Sequence, residues 1–192
     1  MLTGPACACR LWPGFAVLGL DSRLRPRACC IGSSTRALDK LLFHVEKPGR
    51  YLGAEVNARR KDFGAARARV ALAFPDVYEV GMSHLGLRLL YHLLNDIDGV
   101  VADRVYAPWY DFEEVLRSSG ELLRAVESRR PLKDFDFVGF SLQYELSYTN
   151  ILTILELGGI PLKARERGED APWIMAGGPC AYNPEPLADF LD

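Results

Sequence analysis

No apolar run in the 192 residues approaches the roughly 20 that a membrane-spanning helix needs. Cysteine is scarce in the body of the chain: Cys7, Cys9, Cys29 and Cys30 crowd the leading segment, and only Cys180 lies beyond it. One cysteine builds no disulfide framework, and the leading four lack the paired spacing of a zinc site. The expected compartment is therefore a reducing cytoplasm, with no metal ligated by this chain. Also missing are a GxGxxG turn, a phosphate-cradling loop ending in Gly-Lys-Ser/Thr, and a GxSxG nucleophile elbow, which argues against a self-contained nucleotide enzyme or serine hydrolase. No internal repeat is visible. Positive charge is not in excess either. The net charge is −2, but residues 1–37 hold five arginines against Asp21, a charge of +4, which leaves −6 for the rest. An acidic body carries no electrostatic footprint for nucleic acid.

What is present is an ordinary globular composition, 49% hydrophobic and 25% charged, in a length suited to one well-buried domain. Residues 1–37 read as an unstructured extension. Arg10 followed by Leu11 to Leu20 has the outline of a short signal peptide, but Pro13 and Gly14 interrupt its apolar core and arginines crowd its far side. Residues 38–68 read as an arm and linker, because Pro48 and Gly49 break any helix and residues 57–68 are polar and basic.

The domain proper, residues 69–192, is organised around Arg69 to Asn95. Val70 to Phe74 is a short apolar run stopped by Pro75, the pattern of a strand buried on both faces. A polar loop follows and ends at Ser83, a suitable N-cap. From His84 the pattern is helical, with Leu85, Leu89, Leu90 and Leu93 expected to form the buried stripe and Arg88, His92 and Asn95 the polar one. Gly99 to Tyr106 reads as a second strand, and Asp111 is expected to cap a helix through Ser118. Leu122 to Glu127 fits either helix or strand. Phe137 to Leu142 is a third strand, Ser147 to Leu157 a helix, and Trp173 to Ala176 a fourth strand closed by Gly177-Gly178-Pro179. Pro184 to Asp192 reads as a closing helix. Strands alternating with helices imply a three-layer, Rossmann-like (flavodoxin-like) α/β fold with a mostly parallel sheet, expected to be incomplete at its carboxyl end.

Parallel strands put their carboxyl ends on one edge, and ligands of open α/β sheets bind there. Three loops should converge on that edge: 75–86, 141–145 and 177–180. Ser83, His84, Gly86, Ser141, Gln143, Gly177 and Gly178 are the candidate ligand-facing residues. Glycines allow close backbone approach, and the hydroxyl and amide side chains supply hydrogen bonds to a large, partly polar ligand. Each also has a structural reading: His84 as a capped histidine, Gly177-Gly178 as the tight turn a strand end needs, and Asp76 and Glu79 as helix-start carboxylates.

These same blocks carry a resemblance. Residues 74–95 (Phe-Pro-Asp-Val-Tyr-Glu-Val-Gly-Met-Ser-His-Leu-Gly onward), residues 136–151 (Asp-Phe-Val-Gly-Phe-Ser-Leu-Gln-Tyr-Glu onward) and residues 176–190 (Ala-Gly-Gly-Pro-Cys-Ala-Tyr-Asn-Pro onward) resemble the amino-terminal part of B12-binding-domain radical SAM proteins. The resemblance implies a cobalamin-binding-like domain preceding a radical SAM barrel, which would be its partner. It also implies a [4Fe–4S] cluster and S-adenosylmethionine in that barrel. No CxxxCxxC occurs in this chain, so catalysis by the chain alone is not expected. Cobalamin domains use an Asp-x-His-x-x-Gly loop. Here Met82 stands two places before His84, Gly86 comes one place early, and Gln143 replaces leucine in a Ser-x-Leu element. Two readings stay open: cobalamin held without histidine ligation, or a docking domain that has kept the fold without the cofactor.

Overall fold

Among the described residues four short strands carry the apolar runs, and all of them lie parallel. The computed structural model describes residues 39–192, so the reading of residues 1–37 lies outside the described residues. The strands are β1 (Ala68–Phe74), β2 (Val100–Tyr106), β3 (Phe137–Ser141) and β4 (Trp173–Gly177), in spatial order β2-β1-β3-β4. Leu72 pairs in register with Arg104 on one side and Gly139 on the other, and Gly139 with Met175. The helices between them are α1 (Leu85–Asn95), α2 (Tyr110–Ser119) and α3 (Tyr148–Leu157). The three-layer parallel α/β fold expected from the alternation is what forms.

The two faces of the sheet are covered unequally. On one, α2 and α3 bury Phe112, Leu116, Ile151, Ile154 and Leu155 against Ala71, Ala73, Val138, Phe140 and Ile174. On the other, α1 buries Leu87 and Tyr91 against Leu72, Phe74, Ala102 and Tyr106. The helix α1 lies over β1 and β2, while Trp173 and Met175 of β4 remain 44% and 45% exposed on that face. The arm supplies Leu42 and Val45 to the main core, and Pro48–Tyr51 forms a single 3-10 turn.

Several local expectations are corrected. The stripe Leu85, Leu89, Leu90 and Leu93 is not buried. These side chains are 47–66% exposed, and Leu87, Tyr91 and Asn95 face the sheet instead. Apolar residues ring most of this helix, so two apolar arcs compete and the crossover from β1 to β2 decides between them. Asn95 tolerates burial because it is fully bonded: its amide donates to Tyr91 and Ala102 carbonyls at 3.0 and 2.8 Å and accepts from the Ala102 N–H at 3.2 Å. Asp111 does not cap α2, which Trp109 precedes at the N-cap. Its carboxylate accepts from the Phe112 and Glu46 N–H groups. Residues 122–127 are neither helix nor strand but run along the outer edge of β2, where the Val126 N–H donates to the Arg104 carbonyl at 2.9 Å. Residues 184–192 form one 3-10 turn, Glu185–Leu187, rather than a helix. The chain then reaches the outer edge of β4, and the Asp192 N–H donates to the Ile174 carbonyl at 2.9 Å.

Candidate functional site

In a sheet of this order the chain leaves β1 toward β2 on one side and returns to β3 on the other, so the switch point lies between the carboxyl ends of β1 and β3. Asp76 stands there as a hub. Its Oδ1 accepts from the Val77 N–H at 2.7 Å, its carbonyl accepts from Ala107 beyond β2 at 2.9 Å, and its Oδ2 accepts from the Tyr144 hydroxyl beyond β3. Asn150 adds a bond to the Pro75 carbonyl at 3.0 Å. The hydrogen bond to the Asp76 carboxylate holds the Tyr144 phenol above its ordinary value. The ends of β3 and β4 are joined in the same way: Leu142 donates to the Gly177 carbonyl at 2.7 Å, and Cys180 donates to the Leu142 carbonyl at 3.3 Å. Loss of hydration, followed by the neighbouring Glu145, pushes the Cys180 thiol up. A thiol held in that form is no activated nucleophile.

The predicted residues fall into two groups on this edge. Ser141 and Gly177 are register partners across β3 and β4, and Gly178 packs on Leu142 beside Gln143. Ser83, His84 and Gly86 belong to the loop after β1. Ser83 is not the N-cap; its hydroxyl donates to the Val80 carbonyl at 2.8 Å and closes the helical turn Tyr78–Gly81. His84 is the cap, its Nδ1 accepting from the Leu87 N–H at 3.1 Å while its ring lies against Phe74 with centroids 5.1 Å apart. A Cβ on Gly86 would come within 3.0 Å of the His84 ring, so this glycine makes room for the cap. Gly178 has φ +116°, and a Cβ there would lie 2.5 Å from the Leu142 carbonyl oxygen. Its absence of side chain serves the join between loops. Gly177, by contrast, has nothing within 4 Å of its Cβ position.

The feature that sequence reasoning missed is the shelf beside this edge. Residues 137, 139 and 141 of β3 and 173, 175 and 177 of β4 alternate onto the face that α1 leaves open. Like Gly177, Gly139 has open space where its Cβ would be. Against the effect of burial, hydrogen bonds from Tyr78 and Arg104, with a smaller pull from Arg88 of α1, hold the Glu55 carboxyl below its ordinary value, which puts Arg88 on the β2 side. At 3.6 residues per turn, with Leu87 and Tyr91 on the sheet, Leu90 lies on the flank opposite Arg88, the β3 and β4 side. The result is an open floor in which Gly139 and Gly177 stand among Phe137, Trp173 and Met175, with Ser141 and the strand-end loops at its carboxyl edge. A glycine in mid-strand, Gly139, was the signal available in the sequence.

An open parallel α/β sheet with its strand-end loops joined over a switch point places the chain in the Rossmann-like α/β class. The chain belongs to the family described as radical SAM proteins, N-terminal, which residues 86–192 match, more than half of the chain. No curated protein and no solved structure matches it. Among the described residues no helix is long and apolar enough to cross a membrane, and no group of three or more His, Cys, Asp or Glu residues could hold a metal ion.

Proposed function

We propose that this chain is the amino-terminal positioning domain of a radical SAM protein and holds a flat ligand, a corrinoid or the substrate, for the radical SAM barrel. The observation that carries this reading is the shelf: open space above Gly139 and Gly177, with Ser141 at its rim, in a chain of this family. The [4Fe–4S] cluster and S-adenosylmethionine are assigned to the barrel. A cluster needs several cysteine thiolates, and the described residues offer Cys180 alone. A free thiol also agrees with a cytoplasmic protein.

Ligation of cobalt by His84 does not fit, because Nδ1 already accepts from the Leu87 N–H and the ring then carries its proton on Nε2. No aspartate stands at position 82 to hold the other tautomer. A cobalamin held without histidine ligation would fit better. Gly139, Gly177, Ser141 and Gln143 would hold its ring edge and amides. When bound, such a group supplies cobalt-centred methyl or radical chemistry to the barrel.

The test is a visible-absorption titration of the chain with hydroxocobalamin and methylcobalamin. Saturable binding, unchanged by His84→Ala and lost in Gly177→Leu, is the expected result. Gly177 is the informative glycine, since a side chain at Gly178 would strike the Leu142 backbone and perturb the loop itself. A folded chain that leaves both spectra unchanged overturns the cobalamin reading. A second reading, a docking domain without cofactor, is favoured by one observation: Leu85, Leu89 and Leu93 stand 66%, 54% and 63% exposed on a single helix.

A further inference from the structure

Away from the shelf, where the arm and residues 121–130 wrap the outer edge of β2, three arginines surround a cavity of about 20 Å³. Arg50 comes from the arm, Arg124 and Arg129 from the wrapping segment, and Tyr106 from the end of β2; Tyr51 and Phe112 complete much of the wall. Each arginine has a carboxylate neighbour: Glu79 lies 2.8 Å from Arg50 Nη2, Asp39 2.6 Å from Arg129 Nη1, and Glu121 3.2 Å from Arg124 Nη2. Other donors of Arg50 and Arg129 find no partner among the described residues. Arg50 Nη1, Arg129 Nε and Nη2, and the Tyr106 hydroxyl are buried without a hydrogen-bond partner among the described residues.

We propose that this cavity is a binding site for one small monovalent anion, of halide size, that ties the arm and the wrapping segment to β2. Buried donors without partners are costly, and here they line one space. A cavity of this volume has room for a single water-sized particle. Water satisfies the donors poorly, because it accepts only two hydrogen bonds and brings two donors of its own to a wall already rich in N–H groups. A halide accepts from every side and brings no donor of its own. Sulfate and phosphate are too large for the space. The backbone supports a built site. Arg129 has φ +59°, the only positive φ outside glycine among the described residues, and such strain is retained where the surroundings over-determine the conformation.

The experiment pairs crystallography with thermal unfolding of the full chain. Crystals grown or soaked in bromide should show an anomalous peak between Arg50, Arg129 and Tyr106. At constant ionic strength, replacing gluconate by chloride should raise Tm by on the order of 5 °C once chloride reaches about a hundredfold excess over its Kd. Arg129→Asn, which accepts the left-handed backbone, and Tyr106→Phe should each remove most of that chloride-dependent rise while the protein still melts cooperatively in gluconate. The proposal is overturned if the cavity holds water with no bromide peak, if chloride and gluconate give the same Tm, or if sulfate stabilises as well as chloride and the variants respond like the parent.

Discussion

Replacing Glu127 by alanine tests the least expected part of the core. Glu127 and Arg104 are 1% and 4% exposed at their side chains, and they meet inside the sheet edge. Oε1 accepts from Arg104 Nη2 at 2.6 Å and Nε at 2.7 Å, and Oε2 accepts from the Arg104 backbone N–H at 2.8 Å. The guanidinium also lies 4.7 Å over the Tyr91 ring and reaches Glu55 at 2.8 Å. Glu127→Ala strands a buried cation and a strand N–H together, with only the partly exposed Glu55 left as counter-charge. Breaking one side of a buried pair costs about 3–5 kcal/mol. At roughly 2–4 °C per kcal/mol for a chain of this size, the loss in Tm is on the order of 10 °C. Urea unfolding followed by circular dichroism at pH 8 measures it. Arg104→Met combined with Glu127→Gln removes both charges and leaves an acceptor for the strand N–H, so this pair should recover at least half of the loss. A cost below about 1 kcal/mol for Glu127→Ala, or a double variant that costs the sum of the singles, would refute the view that Arg104 depends on Glu127.

The same carboxylate sets a pH dependence. Burial, helped by the neighbouring Asp103, pushes the Glu127 carboxyl up to about 7 against the pull of Arg104. A folded pKa above the unfolded one means that the folded state holds the proton more tightly. This contribution to stability is full below about 4.5 and is lost as pH rises through 7. Chemical denaturation between those limits should show a decline that Glu127→Gln flattens. On α1, Leu87→Ala should cost about 2–5 kcal/mol because Leu87 is wholly buried. Leu89→Gln should stay within about 0.5 kcal/mol, as an equilibrium unfolding curve for each will show; similar costs at both positions would mean that Leu89 is covered in solution.

Much of the architecture was legible in the sequence. Val70 to Phe74 and Phe137 to Leu142 are apolar runs too short for helices and bounded by turn residues, and the alternation of such runs with helical patterns leaves few arrangements besides a parallel sheet. The loops at the strand ends were legible for the same reason, since parallel strands deliver their carboxyl ends to one edge. Side-chain roles within that edge were less so. His84 reads equally as a ligand or a cap until its distance to the Leu87 N–H is known, and Gly177 and Gly178 look alike in a chain but differ in what a Cβ would meet.

Local pattern by itself determined the strands, the helices and the edge where function is sought, because hydrophobic period and turn chemistry are properties of neighbouring residues. Tertiary structure alone decided which arc of α1 is buried, because a helix apolar on most sides has no preferred face until the crossover from β1 to β2 sets its rotation. It also decided that Arg104 and Glu127 lie inside, since a charge is buried only when a partner 23 residues away is brought against it. And only the tertiary structure brought Arg50, Arg124 and Arg129 around one cavity, from an arm and a loop that neither period nor motif connects.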